Sequence, residues 1–129
     1  MKKLVLVLLS VVLVLTGCTS DEPRIDGSWG AVEITSQQAA PRVEMVEFNI
    51  LGKELTGSDG CGPIKARVEL RDGKLLVGPI ATDGDTCSGD AAQTAQVVQE
   101  LLKAQPEASV VEGVMRLKAD GTELVLEKR

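Results

Sequence analysis

The feature that most constrains the fold is a strict alternation of apolar and charged residues over residues 64–71. Four apolar side chains alternate there with four charged ones, which is the two-residue period of a strand with one buried face. Asp72-Gly73 follows at once, and Asp-Gly between two alternating runs is a strong signal for a two-residue hairpin turn. Residues 74–80 supply the partner strand. This segment therefore predicts an antiparallel sheet with one solvated face.

Similar alternating runs predict further strands on both sides of the hairpin. They span residues 27–34, 43–50, 53–56, 110–111, 114–118 and 122–127, with a loop at residues 36–41. Gly52, Gly113 and Asp120-Gly121 supply turns between them. The sequence has a single Trp, a single Phe and no Tyr. We expect Trp29 and Phe48 in the core rather than on an exposed sugar-binding platform.

One segment, residues 90–105, has helical spacing instead. Its apolar residues recur every three or four positions, with Thr94 interrupting the row; they are Ala91, Ala95, Val98 and Leu102. Asp90 and Gln93 have the spacing of a capping box, and Pro106 prevents the helix from continuing. We therefore predict the α+β class: an antiparallel sheet that curls toward a barrel, with one helix packed on the sheet or across an open end.

The N-terminus has the organisation of a bacterial lipoprotein signal peptide. Two lysines precede residues 4–15, a run that is apolar except for Ser10 and is short for a bilayer span. Leu15-Thr16-Gly17-Cys18 resembles a lipobox, in which small residues precede the cysteine that receives lipid. We therefore predict a signal peptide over residues 1–17 and lipidation of Cys18. An ordinary secretory signal or an uncleaved anchor is the alternative.

Lipidation would fix the location of the protein. Several acyl chains on Cys18 would anchor it stably, because each buried methylene contributes about 0.8 kcal/mol. Residues 18–26 are mostly polar and contain Pro23, which predicts a tether between the lipidated cysteine and the folded domain. We predict an exported protein, lipid-anchored to the bacterial membrane. Because Thr19 rather than Asp follows the cysteine, this is the outer membrane if the envelope has two.

Cys61 and Cys87 are the two cysteines that remain. In an exported protein an even pair suggests a disulfide. Closing a loop of about 27 residues would contribute roughly 3–4 kcal/mol of stability. Two free thiols are the alternative, and a redox-catalytic pair is less favoured because the two residues are not arranged as C-x-x-C.

Composition excludes several functions. The chain has no His, which removes Ser–His–Asp and Cys–His catalysis and His-based zinc sites. Its net charge is −5, which argues against nucleic acid and against electrostatic docking on anionic lipid. We predict no catalytic residue, no metal site and no cofactor.

Two further motifs are interpreted as turns rather than as binding sites. Asp83, Asp85, Asp90 and Asp59 offer oxygen ligands for Ca²⁺, but the twelfth position from Asp83 is Thr94 where an EF-hand needs Glu. We favour the interpretation that these aspartates lie in solvent-exposed acidic turns. Residues 57–63 are glycine-rich but lack the Lys of a phosphate loop and open no predicted helix. They predict a tight turn that uses positive φ.

Taken in order, several landmarks resemble a META domain of the HslJ type. They are Gly27-Ser28-Trp29, the Gly57-Ser58-Asp59-Gly60-Cys61-Gly62 turn, the Gly78-Pro79-Ile80-Ala81-Thr82 strand with Cys87 beyond it, the helix, and the final hairpin. Gly62 stands where the family usually has Asn, and Cys87 lies one position further from Thr82 than expected. The resemblance implies an incomplete β-barrel with one helix over residues 27–129. It also implies an envelope location, an association with stress or antibiotic tolerance, and no established reaction.

The leading hypothesis is a non-enzymatic, lipid-anchored cell-envelope protein. It would support stress or antibiotic tolerance by binding an envelope protein or another envelope component. One alternative is a carrier of a small apolar ligand in the barrel mouth, with Ala66, Gly78 and Ala81 facing inward. The other is an inhibitor of an envelope hydrolase that uses residues 83–89 as a protruding loop. No nucleic-acid partner is expected.

Overall fold

The computed structural model describes residues 24–83 and 86–129. The predicted signal peptide, Cys18 and most of the predicted tether lie outside the described residues, as do Gly84 and Asp85. Nine strands and one α-helix are present in the described part. The strands are β1 Gly27–Thr35, β2 Val46–Leu51, β3 Glu54–Asp59, β4 Pro63–Arg71, β5 Lys74–Val77, β6 Ala81–Thr82, β7 Glu107–Val111, β8 Val114–Ala119 and β9 Thr122–Lys128; the helix is α1 Gly89–Lys103.

Eight of these strands form a closed antiparallel barrel. The order around the ring is β3-β2-β1-β9-β8-β7-β5-β4, and β4 pairs with β3 to complete it. The short β6 pairs with β4 at Ile64 and Lys65, beyond the end of β5. The prediction of an incomplete barrel was therefore wrong, although the α+β class is confirmed.

Closure depends on a narrow seam between β5 and β7. Only Lys74 and Glu107 pair in register there. Two backbone bonds flank them: Leu75 N–H donates to the Pro106 carbonyl and Ala108 N–H to the Gly73 carbonyl, each over 2.8 Å. The Gln105 amide continues the ladder, because its Oε1 accepts the Val77 N–H at 2.7 Å and its Nε2 donates to the Val77 carbonyl at 3.0 Å. The Gln105 side chain thus takes the place of strand backbone at the seam, where an incomplete barrel would have a gap.

The barrel interior is filled by the apolar faces of the strands. In β2, buried and exposed residues alternate, and β4 follows the same pattern over most of its length. The largest fully buried side chains are Trp29, Phe48, Leu55, Leu75, Leu102, Met115, Leu117, Leu124 and Leu126. The predicted core positions of Trp29 and Phe48 are confirmed.

The folded body begins inside the segment that was predicted as a tether. Ile25 is 7% exposed and belongs to the main core cluster. Trp29 donates its Nε1–H to the Ile25 carbonyl at 2.8 Å, and Asp26 Oδ1 accepts the Gly52 N–H at 2.8 Å. These bonds fix the position at which the chain enters the barrel.

Helix α1 lies across one end of the barrel. Val98, Leu101 and Leu102 point into the core, and the helix contacts β3, β5 and β8 on different sides of the ring. The predicted capping box is absent, since the N-cap is Ser88 and it makes no side-chain cap bond. The helix ends at Lys103 rather than at Gln105, whose φ of 55° is left-handed.

Four strands differ from the prediction by two or more residues at one boundary. The strand predicted over residues 110–111 begins at Glu107, where it pairs with Lys74 of β5. The strand predicted over residues 74–80 ends at Val77, because Gly78-Pro79 interrupts the ladder before β6. The strand predicted over residues 43–50 begins with a 3₁₀ turn, Val43–Met45. Strand β3 extends to Asp59 rather than ending at Thr56. Glycine at position 57 (φ 153°) allows the strand to continue close to β2, because a Cβ there would collide with the Glu47 carbonyl oxygen.

The barrel has two distinct ends. The terminal end carries residues 24–27, the turns at residues 51–54, 71–74 and 111–114, and the C-terminal residues 127–129. The helix end carries residues 36–45, 59–63, 78–83, 86–105 and 120–121. The described part of the chain contains no helix that is long and apolar enough to cross a bilayer.

Candidate functional site

The sequence landmarks with the most chemistry meet at the helix end, around a disulfide-linked turn. Strand β3 ends at Asp59, residues 60–62 form the turn, and β4 begins at Pro63. A disulfide joins Cys61 in this turn to Cys87, with the two Cα atoms 5.9 Å apart. Because Cys87 lies just before α1, the bond holds the start of the helix against the β3–β4 turn.

The Asp59 carboxylate organises this turn. It is 2% exposed, and its Oδ1 accepts the N–H groups of Cys61 at 2.9 Å and Gly62 at 3.1 Å. Its Oδ2 accepts a hydrogen bond from Nε2 of Gln99, in α1, at 2.7 Å. Three donors therefore converge on one buried carboxylate, which compensates for the cost of removing its charge from water. The sequence predicts a tight turn here and offers Asp59 as one of four oxygen ligands, but it does not predict this set of hydrogen bonds.

Thr94 makes the second polar link between α1 and the loops. It is fully buried, accepts the Arg42 N–H at 3.1 Å and donates to the Asp90 carbonyl at 2.9 Å. Its methyl group packs beside Gly60, where a Cβ would approach Thr94 Cγ2 to 2.8 Å. The interruption of the helical apolar row by Thr94 was the available signal for this contact. No comparable signal marked Gln99.

The hollow beside the disulfide is small. It has a volume of about 80 Å³ and is lined by Asp59, Cys61, Gly62, Pro63, Thr82, Asp83, Ala95 and Gln99. A water molecule occupies about 30 Å³ in the liquid, so this hollow has room for solvent rather than for a drug-sized ligand. Every buried side-chain nitrogen and oxygen in the described residues has a hydrogen-bond partner.

A larger hollow of about 440 Å³ lies on the outer face of the barrel, at the β5–β7 seam. Charged side chains dominate its lining, among them Lys74, Glu107, Arg116, Lys118 and Glu123. Arg116 and Glu123 already pair with each other, Nη1 to Oε1, at 2.8 Å. This groove has the character of a solvated face and not of an apolar pocket.

The positions predicted to leave an apolar cavity do not do so together. Ala66 is buried, as expected. Ala81 is exposed, and a Cβ on Gly78 would lie 3.6 Å from the Arg67 carbonyl oxygen, on the ladder rather than in the interior. The inward orientation of these two residues was therefore wrong, because β5 ends before Gly78 and β6 is an edge strand.

The predicted acidic residues are dispersed in the described structure. Asp59 is engaged in the turn, and Asp83 and Asp90 are exposed. No group of three Cys, Asp or Glu side chains that could hold a metal occurs within residues 24–83 and 86–129.

The described structure is a closed barrel with one helix across its end. A disulfide joins the β3–β4 turn to the start of that helix. This combination is the basis for a comparison with known families. The META domain profile matches residues 22–129. The chain belongs to the META domain family. The predicted resemblance is confirmed, and the matched region begins before the folded body at Ile25.

Two solved structures share the fold of this META domain. An NMR structure of a protein from Burkholderia xenovorans is 18% identical, with a TM-score of 0.66 over 81% of this chain and 82% of that one. A second NMR structure is 13% identical, with a TM-score of 0.63 over 79% of this chain and 88% of the other. At such identities the likeness concerns the fold alone. A comparison with curated proteins gave no significant match.

Gly62 replaces the Asn that is usual in META domains, and the structure shows what position 62 does here. Its N–H donates to Asp59 Oδ1 at 3.1 Å, and its carbonyl accepts the Asp59 N–H at 3.3 Å. Both contacts are made by the backbone. In this META domain the carboxylate that stabilises the turn comes from Asp59 and needs no side chain at position 62.

Proposed function

We propose that this META domain is the folded part of a non-enzymatic, lipid-anchored cell-envelope protein. It acts by binding an envelope protein or another envelope component, and it contributes to tolerance of stress or antibiotics. The lipid on Cys18 holds the protein at the membrane, and the barrel presents a rigid surface to its partner.

The main support for the proposal is that the three cysteines fall into a disulfide pair and a separate cysteine in a lipobox-like motif. Cys61 and Cys87 form a disulfide at the helix end. Disulfides persist in oxidising compartments such as the bacterial periplasm and the cell surface. The third cysteine, Cys18, directly follows an apolar run and two small residues. A chain exported through such a signal keeps one cysteine for lipid and two for stability.

The helix end is the surface we assign to the partner. Its described residues include six acidic side chains and two basic ones, which gives it a negative potential. They are Glu44, Asp59, Asp83, Asp90, Glu100 and Asp120 against Arg42 and Lys103, and all but Asp59 are exposed. Such a surface steers a partner with a basic patch into contact.

The disulfide also favours the inhibitor alternative as a second candidate function. Asp83 and Thr86 are exposed near the bridge, and the bond fixes the position of Cys87. An exposed acidic side chain such as Asp83 is suited to a hydrolase cleft that is lined by basic residues, because the two charges attract. The carrier alternative is not proposed, since side chains fill the barrel interior.

Mass spectrometry of the N-terminus tests the anchoring. The full chain would be expressed in a bacterium, purified from membranes and digested. We expect the peptide that begins at Cys18 to carry diacylglycerol and residues 1–17 to be absent. A Cys18→Ser variant and an inhibitor of the lipoprotein signal peptidase are the controls, and both should abolish the modified peptide. An unmodified Cys18 in membrane-derived protein would refute the anchoring.

Complementation of a deletion strain tests the partner surface. The double variant Asp83→Lys with Glu100→Lys reverses charge at the helix end, and we expect it to lose stress survival because it repels a basic partner. Glu33→Lys with Glu47→Lys makes the same change in net charge on the barrel wall and should retain survival. Equal survival of the two variants, at equal protein levels, would refute the assignment of the helix end.

A further inference from the structure

The two most exposed of the large hydrophobic side chains in the described residues lie at the same end of the barrel. Leu51 is 83% exposed and Val111 is 66% exposed. Leu51 begins the β2–β3 turn and Val111 begins the β7–β8 turn, so both lie at tips of the terminal end. Neither side chain contributes to the core. Four strand spacings around the ring separate them, which places them on opposite sides of the barrel mouth.

The chain enters the barrel beside one of these tips. Asp26 Oδ1 holds the Gly52 N–H at 2.8 Å, in the residue next to Leu51. Ile25 is anchored in the core, so only residues 19–24 separate Cys18 from the folded body. Seven residue steps reach at most about 25 Å when fully extended. A lipid on Cys18 therefore keeps the terminal end near the bilayer, with the helix end across the length of the barrel.

The charges of the two ends differ in the direction that this orientation requires. Six basic and five acidic side chains lie in the residues that define the terminal end. The helix end is acidic, as described above. An anionic bilayer surface repels the acidic helix end. It neither attracts nor repels the terminal end strongly, because the charges there nearly cancel. Contact at the terminal end then depends on apolar side chains and on the covalent lipid, and not on electrostatic attraction.

We propose that the terminal end rests on the phospholipid surface, with Leu51 and Val111 inserted at the boundary between headgroups and acyl chains. This inference rests on the proposed lipidation of Cys18. Two tips on opposite sides of the mouth limit tilting of the barrel, as a single tether cannot. The orientation presents the acidic helix end away from the membrane, toward the partner.

Quenching by brominated lipid tests this orientation on the full-length protein in vesicles of phosphatidylethanolamine, phosphatidylglycerol and brominated phosphatidylcholine. Leu51→Trp and Val111→Trp place a probe at each tip. Met45→Trp is the matched control, because Met45 is also an exposed hydrophobic, 51% exposed, at the helix end. Trp29 is buried in every variant, and the wild-type protein measures its background.

We expect quenching at positions 51 and 111 to be at least about twice that at position 45, because interfacial side chains insert about 5–10 Å into the bilayer boundary. Equal quenching at all three positions would overturn the orientation. The mass of the N-terminal peptide, measured on the same samples, distinguishes the two proposals. If Cys18 carries lipid and quenching is equal, only the orientation fails; if Cys18 carries none, the anchoring fails and the orientation fails with it.

Discussion

Asp59 illustrates how a single residue can hold three segments together. It is the only charged side chain that the structure buries among residues 24–83 and 86–129. Its carboxylate joins the β3–β4 turn to α1 through donors from Cys61, Gly62 and Gln99. Removing such a group costs more than the bonds contribute net, because these half-buried donors lose a charged acceptor that water replaces only in part. The turn therefore depends on the carboxylate even though a disulfide is also present.

Replacing Asp59 with Ala should lower the free energy of unfolding by about 2–4 kcal/mol, since three donors lose their acceptor. Urea denaturation followed by circular dichroism measures the change. Asp83→Ala is the control: Asp83 is exposed at the same end, and its loss should change the stability by less than about 0.5 kcal/mol. Similar midpoints for the two variants would show that the buried carboxylate does not stabilise the turn.

The elements of the barrel differ in how much of their pairing is local. Hairpins such as β4–β5 and β8–β9 pair over most of their length. The β5–β7 seam joins strands that are separated by α1 and has one paired register. Gln105 extends it by binding both backbone groups of Val77 with its amide. This seam is the position at which we expect the barrel to open first.

Gln105→Ala should destabilise the protein by about 1–2 kcal/mol, because the Val77 N–H and carbonyl lose their partners. Hydrogen exchange gives the sharper readout: the Val77 amide should exchange faster, while amides of the β8–β9 hairpin remain protected. Gln96→Ala is the control with the same change of side chain, as Gln96 is exposed and its amide donates to the Glu100 carboxylate on the surface of α1. Unchanged exchange at Val77 would contradict the role given to the side chain.

The sequence predicted those elements whose signals are local. The alternation through β4, the Asp72-Gly73 turn and the apolar stripe of α1 are set by neighbours within a few residues, and the structure has all three. Closure of the ring was missed because it depends on pairing between distant segments: Lys74 pairs with Glu107, and Gln105 binds Val77, 28 positions away. The role of Asp59 was missed for a related reason. A carboxylate before a glycine turn is also typical of an exposed turn, and only the packing of α1 buries it.

The molecule as a whole is stabilised by one covalent link between its two kinds of structure. The Cys61–Cys87 disulfide connects the β-barrel to the residues just before α1, with a sequence separation of 26. The interior supplies the rest of the stability through close packing of side chains such as Trp29, Phe48 and Leu117. The disulfide therefore holds the start of α1 against the barrel, in addition to the packing of its apolar face.

The double variant Cys61→Ser with Cys87→Ser should lose about 3–4 kcal/mol of stability, because a loop of this length constrains the unfolded chain by that amount. Chemical denaturation of the variant measures the loss. The wild-type protein in excess reductant should show the same decrease, which separates the covalent link from the effect of serine at these sites. If the variant and the reduced protein unfold at the wild-type midpoint, the bridge does not contribute to stability.

The pairing of β1 with β9 has a kinetic consequence. Trp29 lies opposite Lys128, and Gly30 opposite Glu127, so the first strand is completed by the last. If the chain is exported N-terminus first, as we propose, this ring cannot close until β9 has emerged. Pairing between such distant segments is also slow, because loop closure must precede it. Closure of the barrel is therefore a late step, which would help to keep an exported chain in a form that can still be translocated.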